Sequence, residues 1–366
     1  MADGTLMVSS PVVEGTVQSF NEWDPLEEVV VGVVDGAAVP EWHVALRATM
    51  PPEQEPFFRE HAGRPFPREL VDAARRDLDG LARLLEREGV RVRRPDARDH
   101  ARRFSTPDWS SPGGLYAAMP RDVLLVIGDE LIEAPMPWRS RYFEIHAYRR
   151  LLKEYFHAGA RWTQAPKPEL ADDLYDHGFV DPQPGEAMRY VLTDVEPVFD
   201  AADFVRCGRD IFYQLSNVTN RFGVRWLTRH LEGRHRLHEI AVTDTHPMHI
   251  DATFMPLRPG KVLVNPERVA ELPPILRDWE VLVAPPPCMP AGVDLHMSSR
   301  WISMNILMLD ERRVIVEEHE HDLIQAFERW GFDPVPCSFL HFNRFGGSFH
   351  CATLDVRRRG ELRSYF

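Results

Sequence analysis

The segment Leu84-Leu85-Glu86-Arg87-Glu88-Gly89-Val90-Arg91-Val92 ends a helix and begins a strand across a single glycine. Upstream, Pro67 stands at the favoured first position of that helix. Leu70, Val71, Leu78, Leu81, Leu84 and Leu85 recur at helical spacing and give it one apolar face. Gly89 stops it, and Val90-Arg91-Val92 reads as the strand that follows. The same grammar returns three times. Tyr142 to His157 is followed by Gly159 and Arg161-Trp162-Thr163; Asn220 to Leu231 by Gly233 and the strand Leu237 to Val242; Asp322 to Trp330 by Gly331 and the strand Phe332 to Pro336. Intervals of 70, 74 and 98 residues between the marker glycines are too uneven for a solenoid. They suit a large α/β unit repeated around a centre.

Further strands are predicted over Leu26 to Val34, Val123 to Ile127, Lys261 to Val264, Val281 to Val283, Ile302 to Leu309 and Val314 to Val316. Residues 36 to 66, rich in proline and charge, read as an irregular excursion. Residues 164 to 190 carry Pro166, Pro168, Pro182 and Pro184 and read as a long surface loop of the kind that carries function. No composition shift marks a domain boundary. The expectation is a flexible segment over 1–15 and one domain over 16–366.

With 366 residues and 44% hydrophobic content, the chain can bury a large core. A formal net charge of −13 argues against a phosphate backbone as partner, so no nucleic acid is expected. No apolar run approaches the roughly 18 residues of a membrane span. Cys207, Cys288, Cys337 and Cys351 form no CxxC pair, and their spacing suggests neither a disulfide frame nor a zinc site. A reduced protein follows. The first twenty residues show neither a signal nor a transit pattern, so the expected location is the cytoplasm.

Four polar clusters stand out. Gly346-Gly347-Ser348-Phe349-His350-Cys351 is a glycine turn that delivers a cysteine to a strand-like Ala352-Thr353-Leu354-Asp355-Val356. Cys351 is either a nucleophile or a buried structural thiol. In Thr245-His246-Pro247-Met248-His249-Ile250-Asp251, strand alternation would put His249 and Asp251 on one face, as a base with an anionic neighbour or as a surface pair. Phe199-Asp200-Ala201-Ala202-Asp203-Phe204 offers two acids between aromatics, with Asp200 open to a plain helix-capping role. Met119-Pro120-Arg121-Asp122 precedes a strand, with Trp138-Arg139-Ser140-Arg141 beyond it. Together, several carboxylates, one imidazole and one thiol suit a small planar cation. A guanidinium fits, because carboxylates bind it in paired geometry and a thiolate can attack its carbon.

At this point the sequence resembles the arginine amidinotransferases, the glycine and aminocyclitol-phosphate enzymes, from about Asn21 to the C-terminus. The motifs are Met-Pro-Arg-Asp at 119 to 122, Glu-Ala-Pro-Met at 133 to 136, Trp-Arg-Ser-Arg at 138 to 141, Ala-Pro-Lys-Pro at 165 to 168 and Phe-Asp-Ala-Ala-Asp at 199 to 203. Pro-Met-His-Ile-Asp-Ala-Thr-Phe at 247 to 254 and Phe-His-Cys-Ala-Thr-Leu-Asp-Val-Arg-Arg at 349 to 358 complete them. The resemblance implies five pseudo-symmetric ββαβ units in an α/β propeller with the site on its axis. It implies Cys351 as nucleophile, His249 as general acid then base, Asp200 orienting His249 and contacting the guanidinium, and Asp251 completing the clamp. Asp122, Arg268 and Ser299 match positions that hold the amino-acid end of the donor, and Met248 matches the acceptor site. No metal or cofactor is implied, and relatives suggest a homodimer. The glycine enzymes carry Asn-Pro-Met-His where this chain has His246-Pro247-Met248-His249, so His246 could favour another acceptor.

The activity so implied moves the amidino group of L-arginine through a covalent amidino-cysteine to a primary amine, releasing ornithine. The acceptor could be glycine, lysine, another amino acid or a specialised-metabolite amine. The loop at 164 to 190 and the His246 loop are expected to shield the intermediate from water. The rival is an arginine deiminase-like hydrolase of the same superfamily. The Phe-Asp-Ala-Ala-Asp and Phe-His-Cys-Ala-Thr wording favours transfer.

Overall fold

The apolar stripe at 67 to 89 forms the helix Arg68–Arg87, which buries Val71, Leu78, Leu81 and Leu85. Its stripe packs into the same cluster as Val29 and Val31 of the strand Leu26–Val31. That strand pairs in parallel with Arg91–Arg93 beyond Gly89. The computed structural model describes residues 17–183, 185–288, 290, 297 and 299–366. The segment 1–15 lies outside the described residues.

Four further blades repeat the plan: an antiparallel pair, a helical return, then a third strand parallel to the second. They are Leu124–Ile127, Glu130–Glu133 and Arg161–Gln164; Phe204–Cys207, Asp210–Tyr213 and Arg236–Glu239; Phe254–Arg258, Lys261–Val264 and Glu280–Val283; and Leu307–Met308, Arg313–Glu317 and Asp333–Cys337. In the first blade the antiparallel partner of Leu26–Val31 is Thr353–Arg358, the last strand. The ring is thereby closed by pairing its first strand with its last, and no blade of the five is left incomplete. Strands buried on both faces hold it together. Within Leu124–Ile127, Leu124 and Val126 join one apolar cluster, while Leu125 and Ile127 join the next.

Three blades carry the expected helix, Arg149–His157, Arg221–His230 and His321–Arg329. The blade between Gly233 and Gly331 does not. Pro273 and Pro274 allow only a single 3-10 turn, Pro274–Leu276, since proline removes a donor and clashes with the preceding turn. The long interval of 98 residues therefore spans two blades.

Other expectations are corrected. The predicted strand Leu26 to Val34 breaks at Gly32, where a side chain would meet the Ala118 carbonyl oxygen at 2.0 Å; a second strand, Val33–Ala38, follows. Residues 36 to 66 hold the helices Val44–Arg47 and Glu55–His61. The helix read from Tyr142 is 3-10 over Glu144–Tyr148 and becomes α only at Arg149. The predicted strand Ile302 to Leu309 is a 3-10 turn, Arg300–Met304, leading to the short strand Leu307–Met308. The loop 164 to 190 is not wholly superficial: Leu170, Leu174, Tyr175 and Phe179 are buried, and Tyr175 donates to the Pro137 carbonyl at 2.7 Å. No helix among the described residues is long and apolar enough to cross a membrane.

Candidate active site

Every blade meets the axis in the same way, through a short turn just before its first strand. Those turns deliver Asp122 within Pro120–Val123, Asp200 before Ala201–Asp203, His249 and Asp251 around Ile250–Ala252, Asn305 after Arg300–Met304, and Cys351 before Thr353–Arg358. All six side chains belong to residues no more than 5% exposed. Fivefold repetition thus converts residues far apart in sequence into one cluster.

The local backbone explains the aim of each. Cys351 follows a turn in which Gly346 takes φ +91 and a side chain on Gly347 would lie 2.7 Å from the Cys351 Cβ. His249 has φ 59, the left-handed region that non-glycine residues seldom adopt. The alternating-strand reading of His249 and Asp251 is therefore wrong: the strand begins only at Phe254, and the two residues converge through a 3-10 turn. Asp200 occupies a helix-cap position but its side chain caps nothing. It accepts instead from His249 Nε2 at 3.0 Å. Asp251 Oδ2 accepts from the Cys351 thiol at 3.4 Å. Polar atoms of Asp122, His249 and Cys351 all lie within 4.8 Å of one another.

Asp122, which the resemblance grouped with Arg268 and Ser299, lies 3.8 Å from His249 Nδ1 and 2.9 Å from Arg141. Arg268 and Ser299 do stand together, with Arg268 donating to Ser299 Oγ at 2.8 Å and pairing with Asp244 at 3.0 Å. They line a cavity of about 330 Å³ with Met248, His246, Glu53 and Cys351. His246 pairs across this mouth with Asp181 of the 164–190 loop at 3.3 Å.

The electrostatics follow from burial. Burial opposes a charged His249, yet the Asp122 charge, the Asp200 hydrogen bond and the Cys351 contact outweigh it and hold the ring well above its ordinary value. Burial pushes the Cys351 thiol up to about 12, with repulsion from Asp251 adding to it and His249 offsetting part. Burial also raises Asp122, despite His249 and Arg141. Asp251 goes the other way: burial would raise it, but the His350 hydrogen bond and charge bring it below the usual carboxylate range. At rest the site holds a thiol and an imidazolium above acids. Two buried oxygens, Asp122 Oδ1 and Asp200 Oδ1, have no hydrogen-bond donor among the described residues. A planar cation would supply donors. Asp122, His249 and Cys351 are donor types that also bind metals, but the Arg141 guanidinium already lies against Asp122 and within 3.5 Å of Asp200. We read them as reacting groups.

Sequence reasoning missed Asn305, hidden in an apolar run that read as a strand. Its Nδ2 donates to Cys351 Sγ at 3.1 Å, and its Oδ1 accepts from the backbone N–H groups of Ser348 and Cys351, each at 3.1 Å. The signal that could have found it is positional: one polar residue stands before the first strand of every blade.

No family model matches the chain. It is 55% identical over 361 residues to the L-arginine:L-lysine amidinotransferase of Pseudomonas savastanoi pv. phaseolicola, covering 99% of this chain and 98% of the relative. It is 48% identical to the mitochondrial glycine amidinotransferase of Danio rerio, covering 96% and 85%. Among solved structures it is similar to SxtG, an amidinotransferase from Microseira wollei in the saxitoxin biosynthetic pathway. There the TM-score is 0.93 at 53% identity over 96% of this chain and 100% of that one. The arginine dihydrolase ArgZ, at 14% identity and a TM-score of 0.60, shares the fold alone.

Proposed function

This chain belongs to the amidinotransferase family, and we propose that it carries the amidino group of L-arginine on Cys351 between donor and acceptor. The observation that supports this most is the meeting of a thiol, a charged imidazole and unsatisfied carboxylate oxygens within one buried cluster. The hydrolytic rival has support only from distant relatives that share the fold.

The guanidinium of arginine enters above Cys351, between Asp251 and Asp122, with Asp200 supporting His249 from behind. Its α-carboxylate reaches Arg268 and Ser299 at the mouth. The incoming positive charge cancels the repulsion that Asp251 exerts on sulfur, so the thiol gives up its proton to solvent as the substrate seats. Asn305 donates to the thiolate. Sulfur attacks the guanidino carbon, the C–N bond to the ornithine nitrogen breaks, and the His249 imidazolium protonates that nitrogen. Ornithine leaves, and the amidino group stays on Cys351. A primary amine then attacks the same carbon, neutral His249 takes its proton, and the thiolate departs. Lysine is the first acceptor to test. A relative is named for it, and Glu53 and Asp181 at the mouth offer acidic partners to a second ammonium.

Resemblance further supports a homodimer, while a cytoplasmic location and one domain over 16–366 rest on the sequence. Light scattering and cell fractionation test the first two. The decisive experiment is mass spectrometry after incubation with arginine alone. An amidino adduct on Cys351 is expected, together with one equivalent of ornithine. Ornithine release by Cys351→Ala would overturn the reading, and ammonia with citrulline in place of ornithine would favour hydrolysis.

A further inference from the structure

Directly beneath Asp251 lies a second imidazole that the reaction does not touch. His350 directs Nδ1 at Asp251 Oδ2, 2.8 Å away, and Nε2 at Glu22 Oε2, 3.3 Å away, and the residue is 2% exposed. An ionised carboxylate can only accept hydrogen bonds. Two carboxylates on two ring nitrogens therefore match a ring that carries both protons. A neutral ring would press a lone pair against a carboxylate oxygen in a buried site.

The surroundings keep that demand in place. Arg206 holds Glu22 in a fork, 2.8 Å from Oε1 and 2.7 Å from Oε2, and reaches Asp355 at 2.7 Å. Arg121 stands 3.6 Å from Glu22, donates through Nε to the His350 carbonyl at 3.3 Å, and pairs with Asp355. The charged and titratable groups facing the ring are Asp251 and Glu22 and, one contact further, Cys351, His249, Arg121 and Arg206.

We propose that His350 is a positioning residue, a buried imidazolium that keeps Asp251 ionised and aimed at the donor cation. The depressed carboxyl of Asp251 supports this, since His350 supplies the leading contributions against burial. The inference rests on Asp251 acting as a clamp for the guanidinium.

A carboxylate with a depressed pKa keeps its charge until the pH falls through that value. Removing the imidazolium raises the value, so the acid limb moves to higher pH. His350→Asn keeps a neutral donor for Asp251 and discards the charge. The expected result is an acid limb of kcat/KM for arginine displaced upward by about one pH unit, with a loss that grows up to about tenfold as the pH falls below the displaced limb, is small between pH 6 and pH 8, and is carried by KM. Glu22→Gln lets an amide N–H meet Nε2, permits a neutral ring, and should move the limb the same way by less. In the unmodified full chain, 15N-histidine spectra should show His350 with both nitrogens protonated.

A neutral tautomer in the unmodified chain overturns the proposal. So does a pH-independent loss in His350→Asn, or an unmoved acid limb in Glu22→Gln. Should His350→Asn fail to fold, Glu22→Gln and the spectrum carry the test. If Asp251→Asn left arginine KM unchanged, the clamp reading would fail, while the spectrum would still judge the charge on the ring.

Discussion

The floor of the site and its mouth are built on opposite principles. On the floor, Cys351, His249, Asp200, Asp122, Asp251 and Asn305 are all buried and converge from five separate blades. Beneath them Glu22, Arg206, Arg121, His350 and Asp355 form a closed set of ion pairs. At the mouth, His246 and Asp181 are more than a third exposed in their side chains, and Glu53 is exposed. The floor consists of buried groups held by one another through ion pairs and hydrogen bonds. The mouth is assembled from loops whose residues can change without disturbing the ring. On the proposed function, the comparison teaches that donor chemistry and acceptor choice reside in different layers of the molecule.

Four substitutions test that division. Asp200→Asn, on the floor, removes the bond that orients His249 and helps keep it charged. Turnover should fall roughly 100- to 10,000-fold. Because protonated His249 is the acid, and Asp200 raises its pKa, the alkaline limb of ornithine release should also move to lower pH. Arg206→Ala should cost about 3–5 kcal/mol in urea unfolding, since Glu22 and Asp355 would lose a shared buried partner. A mild effect would mean that the ion pairs are not what fixes the floor. Arg268→Ala, at the boundary, should raise the arginine KM roughly 10- to 100-fold with little change in kcat, the loss of a charge-assisted hydrogen bond. His246→Asn, at the mouth, should reorder amine acceptors by a few-fold and leave the arginine KM alone. If instead it altered arginine kinetics as strongly as Asp200→Asn, the two layers would not be separable.

The ring was partly legible from the chain alone. Four helix–glycine–strand units announce themselves through apolar periodicity, and the structure bears them out as blades. The remaining blade is silent because Pro273-Pro274 replaces its helix with one turn. Cys351, His249, Asp200 and Asp251 were reached by motif, and the structure brings them together. The reasoning for His249 and Asp251 was geometrically wrong, because periodicity cannot foresee a left-handed backbone at a histidine. Asn305 carried only a positional signal, and Glu22 none. One lies within an apolar run, the other before the first strand, and their roles exist only once distant blades meet. Asp122 was noticed, but its place beside His249 was not foreseen, since sequence order says nothing about depth.

Closure of the ring has a consequence for the order in which the protein is made. Leu26–Val31 waits for Thr353–Arg358, and Cys351 lies two residues ahead of that closing strand. A chain still on the ribosome can form its early blades, but it has neither the sulfur nor the acids and imidazole gathered around it. On the proposed mechanism, chemical competence therefore arrives with the final stitch, so a half-made molecule is not trapped on arginine.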